Sequence, residues 1–224
     1  LFTKVLFELG KTWFELEHYE GGFRHLRRIV KEYPNSEWNI QAWFMIGEYY
    51  FNTLGDAKKA YKAYTEATRD PRNPVYGLAV YKQGWCHINR GEWDLALDSF
   101  KEVLKVSGDP SNPLDKKGRL SLRREAIKDY VRSYSHIGLP SRAYTAFRKI
   151  TKGSDVQLMM EHLGNWYLGR DEHQSAITIY RELLKRFQNS TRNPLFQGRI
   201  VDAVDKSGGG IAVVKEVKAL TKYF

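Results

Sequence analysis

One pattern recurs along this chain and narrows its possible folds more than any other feature. A large apolar residue is followed three or four positions later by an apolar-glycine pair and then by an aromatic. Further on comes a small residue, then an aromatic or aliphatic four later and another aliphatic three after that. The first copy reads Leu6, Leu9, Gly10, Trp13, Gly22, Leu26, Ile29 and Pro34; the second reads Trp43, Ile46, Gly47, Tyr50, Ala60, Tyr64, Ala67 and Pro71. A third runs through Val80, Gly84, Ala96, Phe100 and Val103, a fourth through Ile127, Tyr130, Tyr134, Ala143, Phe147 and Ile150, and a fifth through Met160, Leu163, Gly164, Tyr167, Ala176, Tyr180 and Leu183. A weaker sixth spans Phe196, Ile200, Ala203, Ala212 and Ala219. Apolar spacings of three and four put one face of each segment on a helix, and no segment alternates strictly enough to make a strand. Small residues at Gly10, Gly47, Gly84 and Gly164, set against Ala60, Ala96, Ala143 and Ala176, let paired helices approach closely where they cross. Glycines at Gly21–Gly22, Gly55, Gly91, Gly138 and Gly208–Gly210 mark the turns, and prolines at Pro34, Pro71 and Pro110 end the second helices.

The period resembles that of the tetratricopeptide repeat, a helix-turn-helix unit of about 34 residues. The resemblance implies an all-α fold, a right-handed α-solenoid of about six repeats at 3–36, 40–73, 77–110, 119–153, 157–190 and 193–224. The small positions Gly22, Ala60, Ala96, Ala143, Ala176 and Ala212 are separated by 38, 36, 47, 33 and 36 residues, so an insertion at 106–118 lies between the third and fourth repeats. Because Leu120, Leu122, Ile127 and Tyr130 still offer an apolar face, one continuous superhelix over 1–224 is expected. First helices of such repeats line a concave groove. Carried onto this sequence, that implies Phe44, Glu48, Phe51 and Asn52 beside Tyr81, Trp85, Ile88 and Asn89, then Lys128, Arg132, Ser135 and His136, then Glu161 and Asn165. The aromatic half suits aliphatic anchors of a bound peptide and the basic half suits acids. The competing expectation is that Tyr81 and Trp85 only pack against neighbouring helices.

The net charge of +10 is concentrated. Between Asp115 and Lys152 stand eleven basic residues, among them Arg119, Arg123, Arg124, Lys128 and Arg132, against three acids, which supplies +8 of the total. An acidic partner protein is the sharper reading of that segment; a nucleic-acid-binding repeat protein using 116–152 is the alternative, although no stacking aromatics are interleaved there. The segment also reads simply as a solvated face. No catalytic constellation emerges, so the chain is expected not to be an enzyme and to carry no cofactor. The six histidines, including His87, His136 and His162, never fall at the i, i+4 spacing that shares a metal. Ser207–Gly210 lacks the Lys-Ser/Thr that a phosphate cradle needs. The single cysteine, Cys86, beside Trp85, is expected to be a buried thiol and not a nucleophile. The sequence shows no signal-peptide pattern and no apolar stretch of membrane-spanning length, and it is read as a fragment.

Three stretches carry a narrower resemblance: Ala42 to Phe51, Pro74 to Cys86, and Phe196 to Val204. They look like the envelope tetratricopeptide proteins of myxobacteria and their predatory relatives, in particular those of the adventurous gliding-motility machinery. The first two also resemble outer-membrane assembly lipoproteins built from such repeats. This resemblance implies an exported protein, in the periplasm or at the outer membrane, that works in a multiprotein complex.

Overall fold

The computed structural model describes residues 1–223, whose regular elements are all helices, with no strand among the described residues. Contacts divide the chain into two compact units, Leu1–Ala126 and the residues from Ile127 onward. In the first unit, α1 (Phe2–Glu15) and α2 (Tyr19–Glu32), α3 (Asn39–Glu48) and α4 (Ala57–Ala67), and α5 (Tyr76–Asn89) and α6 (Trp93–Gly108) form three helical hairpins. The helix α7 (Lys116–Ile137) carries the boundary between units inside it. The second unit continues with a 3₁₀ turn (Pro140–Arg142) and α8 (Ala143–Arg148), then the pairs α9 (Ser154–Leu168) with α10 (His173–Arg186) and α11 (Asn193–Lys206) with α12 (Ile211–Leu220).

The recurrent glycine of each first helix is a socket for one side chain of the second. A Cβ on Gly47 would lie 2.5 Å from the Tyr64 ring, one on Gly84 2.7 Å from Phe100, one on Gly164 2.8 Å from Tyr180, and one on Gly10 2.8 Å from Leu26. Those four side chains are fully buried. The close approach expected from small residues is therefore a side chain seated on bare backbone, an aromatic ring in three of the four hairpins and Leu26 in the first. In the fourth repeat Val131 fills the socket register, and Phe147 turns its edge to Tyr134 at 5.0 Å instead. Its second helix, α8, is six residues long.

A second regularity sits in the hairpin turns. The residue seven after the socket is left-handed in the first, third and fifth repeats: Glu17 at φ 61°, Gly91 at φ 72° and Asp171 at φ 58°. The second repeat reaches the same conformation at Gly55, φ 64°, one residue later. Left-handed backbone costs a residue with a Cβ about 1–2 kcal/mol, which glycine avoids. Glu17→Gly and Asp171→Gly are therefore expected to stabilise by about 0.5–1 kcal/mol each, the unfolded-state entropy of glycine offsetting part of the relief. Gly91→Ala is expected to destabilise by about 1 kcal/mol. Urea-unfolding midpoints of the three variants measure both signs.

The extra residue of the second repeat has a structural cause. Socket and small residue are twelve apart in Gly10–Gly22, Gly84–Ala96 and Gly164–Ala176, but thirteen apart in Gly47–Ala60. The chain absorbs the insertion as a π-helical turn, Tyr49–Thr53, at the end of α3. In the sixth repeat the register moves by one. The Gly209 N–H donates to the Val204 carbonyl at 3.0 Å, as Glu172 does to Tyr167 and Glu92 does to His87. That places Val213, and not Ala212, at the small-residue register.

The irregular connection before α7 is confined to 109–115, since Val106–Gly108 end α6 and Lys116–Gly118 begin α7. Side chains substitute for secondary structure there. Asp109 Oδ1 accepts from the Ser111 N–H at 2.8 Å, Asn112 Oδ1 from Leu114 at 2.9 Å, and Asp115 Oδ1 from Gly118 at 2.8 Å.

Candidate functional site

The first-helix residues of the first unit gather around one carboxylate. Glu48, on the last turn of α3, accepts from the Tyr64 hydroxyl at 2.5 Å, from Lys82 Nζ of α5 at 2.9 Å and from Asn52 Nδ2 at 3.0 Å. Lys82 also lies over the Phe51 ring, 5.5 Å from its centroid. The π turn brings Phe51 and Asn52 to this point. Burial first, and then the charge of Glu48 and its hydrogen bond, keep the Tyr64 phenol far above its ordinary range. Glu48, Phe51 and Asn52 thus form one cluster, whose fourth member, Lys82, the groove pattern did not include. Phe44 rests against Tyr64 at 5.8 Å and Tyr81 against Phe100 at 5.6 Å, so each is partly a packing residue. Both remain half-buried, as does Trp85, while Asn89 is exposed at the end of α5. Cys86 is fully buried and burial pushes its thiol up to about 12, which leaves it protonated and inert at neutral pH. Its neighbour His87 is also buried, with Nδ1 2.7 Å from Glu92.

In the second unit the equivalent position to Glu48 is Asn165, whose Oδ1 accepts from the Tyr180 hydroxyl at 2.8 Å. The same phenol–acceptor lock thus recurs with a neutral partner. Arg132 stacks over the Trp166 ring at 5.8 Å, and Arg170 approaches the same ring at 6.0 Å. Lys128 is exposed on α7. Buried Glu161 pairs with Arg192 at the start of α11. His162 is held below the usual histidine range by burial first and then by Lys128 and Arg192, and His136 by burial and then Arg170 and Arg132. Burial is the larger cause at both imidazoles, and the neighbouring cations act in the same direction. Arg132 is joined by Trp166, and Lys128 by His162 and Arg192, none of which the groove pattern included: His162 and Trp166 stand one position from its registers and Arg192 precedes α11.

The basic stretch of 116–152 is divided in use. Arg119 Nη1 donates to the Leu114 carbonyl at 2.7 Å and Arg123 Nη1 to the Leu104 carbonyl at 2.6 Å, so both guanidinium groups secure main chain. Among the described residues no three His, Cys, Asp or Glu side chains are grouped to hold a metal ion. No described helix is long and apolar enough to cross a membrane.

Stacked helical hairpins with side-chain-rich first-helix faces define a scaffold for protein–protein interaction. The tetratricopeptide repeat profile matches residues 4–36, 78–107 and 160–190, and a second profile of the same description matches 40–69. The chain belongs to the tetratricopeptide repeat family. Over 210 residues, 90% of its length, it is 22% identical to the outer membrane protein assembly factor BamD of Caulobacter vibrioides. It spans 59% of that relative's length. Among solved structures it is similar to a tetratricopeptide repeat protein from Parabacteroides merdae, with a TM-score of 0.56 at 15% identity over 99% of this chain and 79% of that one. It is also similar to the RpL4 assembly chaperone Acl4, with a TM-score of 0.53 at 13% identity over 97% and 89% of the two chains. At these identities the structures speak to the fold.

Proposed function

We propose that this chain holds partner proteins against its first-helix faces as a scaffold in a bacterial envelope complex of the gliding-motility kind. The observation that carries the reading is the composition of those faces. The first unit offers half-buried Phe44, Phe51, Tyr81 and Trp85 around the Glu48–Lys82 pair, and the second offers the cations Lys128 and Arg132, the latter over the Trp166 ring. Large flat side chains with an apolar body supply most interface energy, and cations fix register and orientation, so the partner carries aliphatic anchors and acidic residues. Support for the envelope comes from the three stretches that resemble envelope repeat proteins and from the similarity to BamD, whose name places it in outer-membrane protein assembly. The reading also keeps the repeats as one scaffold over 1–224. The nucleic-acid alternative loses ground because Arg119 and Arg123 are engaged with backbone carbonyls.

The test is crosslinking in cells followed by recovery of partners, with Trp85→Ala and the pair Lys128→Glu and Arg132→Glu compared with the parent chain. Each variant is expected to reduce recovery about tenfold, in line with the loss of one or two interface anchors. Full recovery with an unchanged circular dichroism spectrum would remove the groove assignment, and fractionation of the chain with the cytosol would remove the envelope.

A further inference from the structure

Two cations of the basic stretch, Arg142 and Lys149, open onto one cleft in the second unit. No acidic residue occurs from Tyr130 to Ser154. Of the other cations there, Arg132 lies over the Trp166 ring and Arg148 over the Tyr144 ring, which Arg186 also approaches at 4.6 Å. Arg142 and Lys149 are exposed, and among the described residues neither side chain enters an ion pair or a hydrogen bond. In the other hairpins of the first five repeats, the residue six after the small position is neutralised within its own helix: Arg28 by Glu32, Glu66 by Arg69, Glu102 by Lys105 and Glu182 by Arg186. Lys149 holds that position on α8, where one turn either way offers only Thr145, Ala146, Lys152 and Gly153.

The cleft measures about 590 Å³ and joins these two cations and the hydroxyls of Ser141 and Thr145 to the end of α7 and the turn at Leu139. The turn is held in place. The Tyr134 hydroxyl donates to the Leu139 carbonyl at 3.0 Å, and its ring fills the space beside Gly138, where a Cβ would lie 2.3 Å away. Ile137 and Leu139, at 45% and 55% exposure, form the apolar wall. Their exposure does not come from a missing neighbour in the array: Leu16, Leu54, Arg90 and Arg170 occupy the turn register of Ile137 in the other hairpins, and all are exposed. One wall is thus apolar and the other carries a guanidinium, an ammonium and two hydroxyls with no carboxylate among them, a set that receives an acid standing next to an aliphatic side chain. We infer that this cleft docks an acidic segment of a partner protein, with an aliphatic side chain on Ile137 and Leu139 and carboxylates on Arg142 and Lys149. The inference rests on the reading of the chain as a protein scaffold, and adds to it a seat built on α8 and its turn, outside the first-helix faces.

The test is fluorescence anisotropy of the full chain with a labelled peptide repeating Glu-Leu-Leu, capped at both ends so that it carries no terminal carboxylate. Binding is expected, and is expected to disappear when the peptide's glutamates are replaced by glutamines. The pair Arg142→Glu and Lys149→Glu should weaken it about tenfold, and Leu139→Ser severalfold, with unchanged circular dichroism because all three side chains already stand in water. The pair Lys128→Glu and Arg132→Glu should leave it unmoved. No binding, or binding indifferent to Arg142 and Lys149, overturns the inference, while recovery of partners that depends on Trp85, Lys128 and Arg132 would still stand. Binding lost instead with Lys128→Glu and Arg132→Glu assigns the peptide to the first-helix face and overturns it as well. Uptake of phosphatidylglycerol vesicles through Arg142 and Lys149, with the peptide left free, overturns it in favour of a lipid surface.

Discussion

Truncating Phe100 to alanine is expected to lower the stability of the first unit by about 3–5 kcal/mol. Phe100 is fully buried, sits over the bare backbone of Gly84 and makes a ring contact with Tyr81. Removing it deletes the transfer free energy of the ring and leaves a void that the crossing of α5 and α6 cannot close, because the glycine opposite has no side chain to move in. Phe100→Leu retains much of the volume and is expected to cost less than half as much. Thermal and urea unfolding of the two variants separates the cavity from the chemistry. Equal losses for alanine and leucine would show that the ring-on-glycine contact is not what holds this hairpin together.

Gly164→Ala is the second large effect, about 1–3 kcal/mol of destabilisation in the second unit. The added Cβ would stand 2.8 Å from Cζ of Tyr180, and the ring has nowhere to retreat: it is fully buried, with its hydroxyl donating to Asn165 and its face 6.1 Å from Phe196. Two contacts pin the ring while the methyl pushes it. Combining Gly164→Ala with Tyr180→Leu should therefore cost clearly less than the sum of the two alone, a coupling that a double-mutant cycle measures. Gly198, in the middle of α11, is the control. A Cβ there meets nothing within 4 Å, so Gly198→Ala is expected to stabilise by about 0.5–1 kcal/mol through helix propensity. Strict additivity of Gly164→Ala and Tyr180→Leu would refute the socket.

The repeats were legible because each is dictated locally. Gly10, Gly47, Gly84 and Gly164, the second-helix residues that seat on them, and the glycine-marked turns recur at nearly constant spacing, and a packing rule that repeats leaves its period in the sequence. The spacing also encodes the irregularity of the second hairpin. Thirteen residues from Gly47 to Ala60, where the other hairpins have twelve, amount to one inserted residue, and a π turn is the form in which a helix keeps an insertion without losing its register. The shift from Ala212 to Val213 was harder to see. Three consecutive glycines leave the turn's length open until the Gly209 to Val204 hydrogen bond fixes it.

The site was legible only in part. Family registers located Glu48, Phe51 and Asn52, but the cluster is organised by Lys82, thirty-four residues away in the chain, and by a buried phenol. Charge counting found the basic segment, yet could not tell Arg119 and Arg123, which serve backbone carbonyls, from Lys128, which is exposed. Those distinctions depend on which carbonyls and rings lie within a few ångströms, and that is a property of chain crossings.

By itself the sequence determined the helices, the hairpin period and the identity of the residues at each crossing, because helix periodicity and close packing against glycine act over short stretches of chain. Only the tertiary structure decided which charges are consumed internally and which aromatics are half-spent on packing. Burial and ion pairing depend on neighbours brought together from different hairpins, and no local pattern encodes whether a given neighbour arrives.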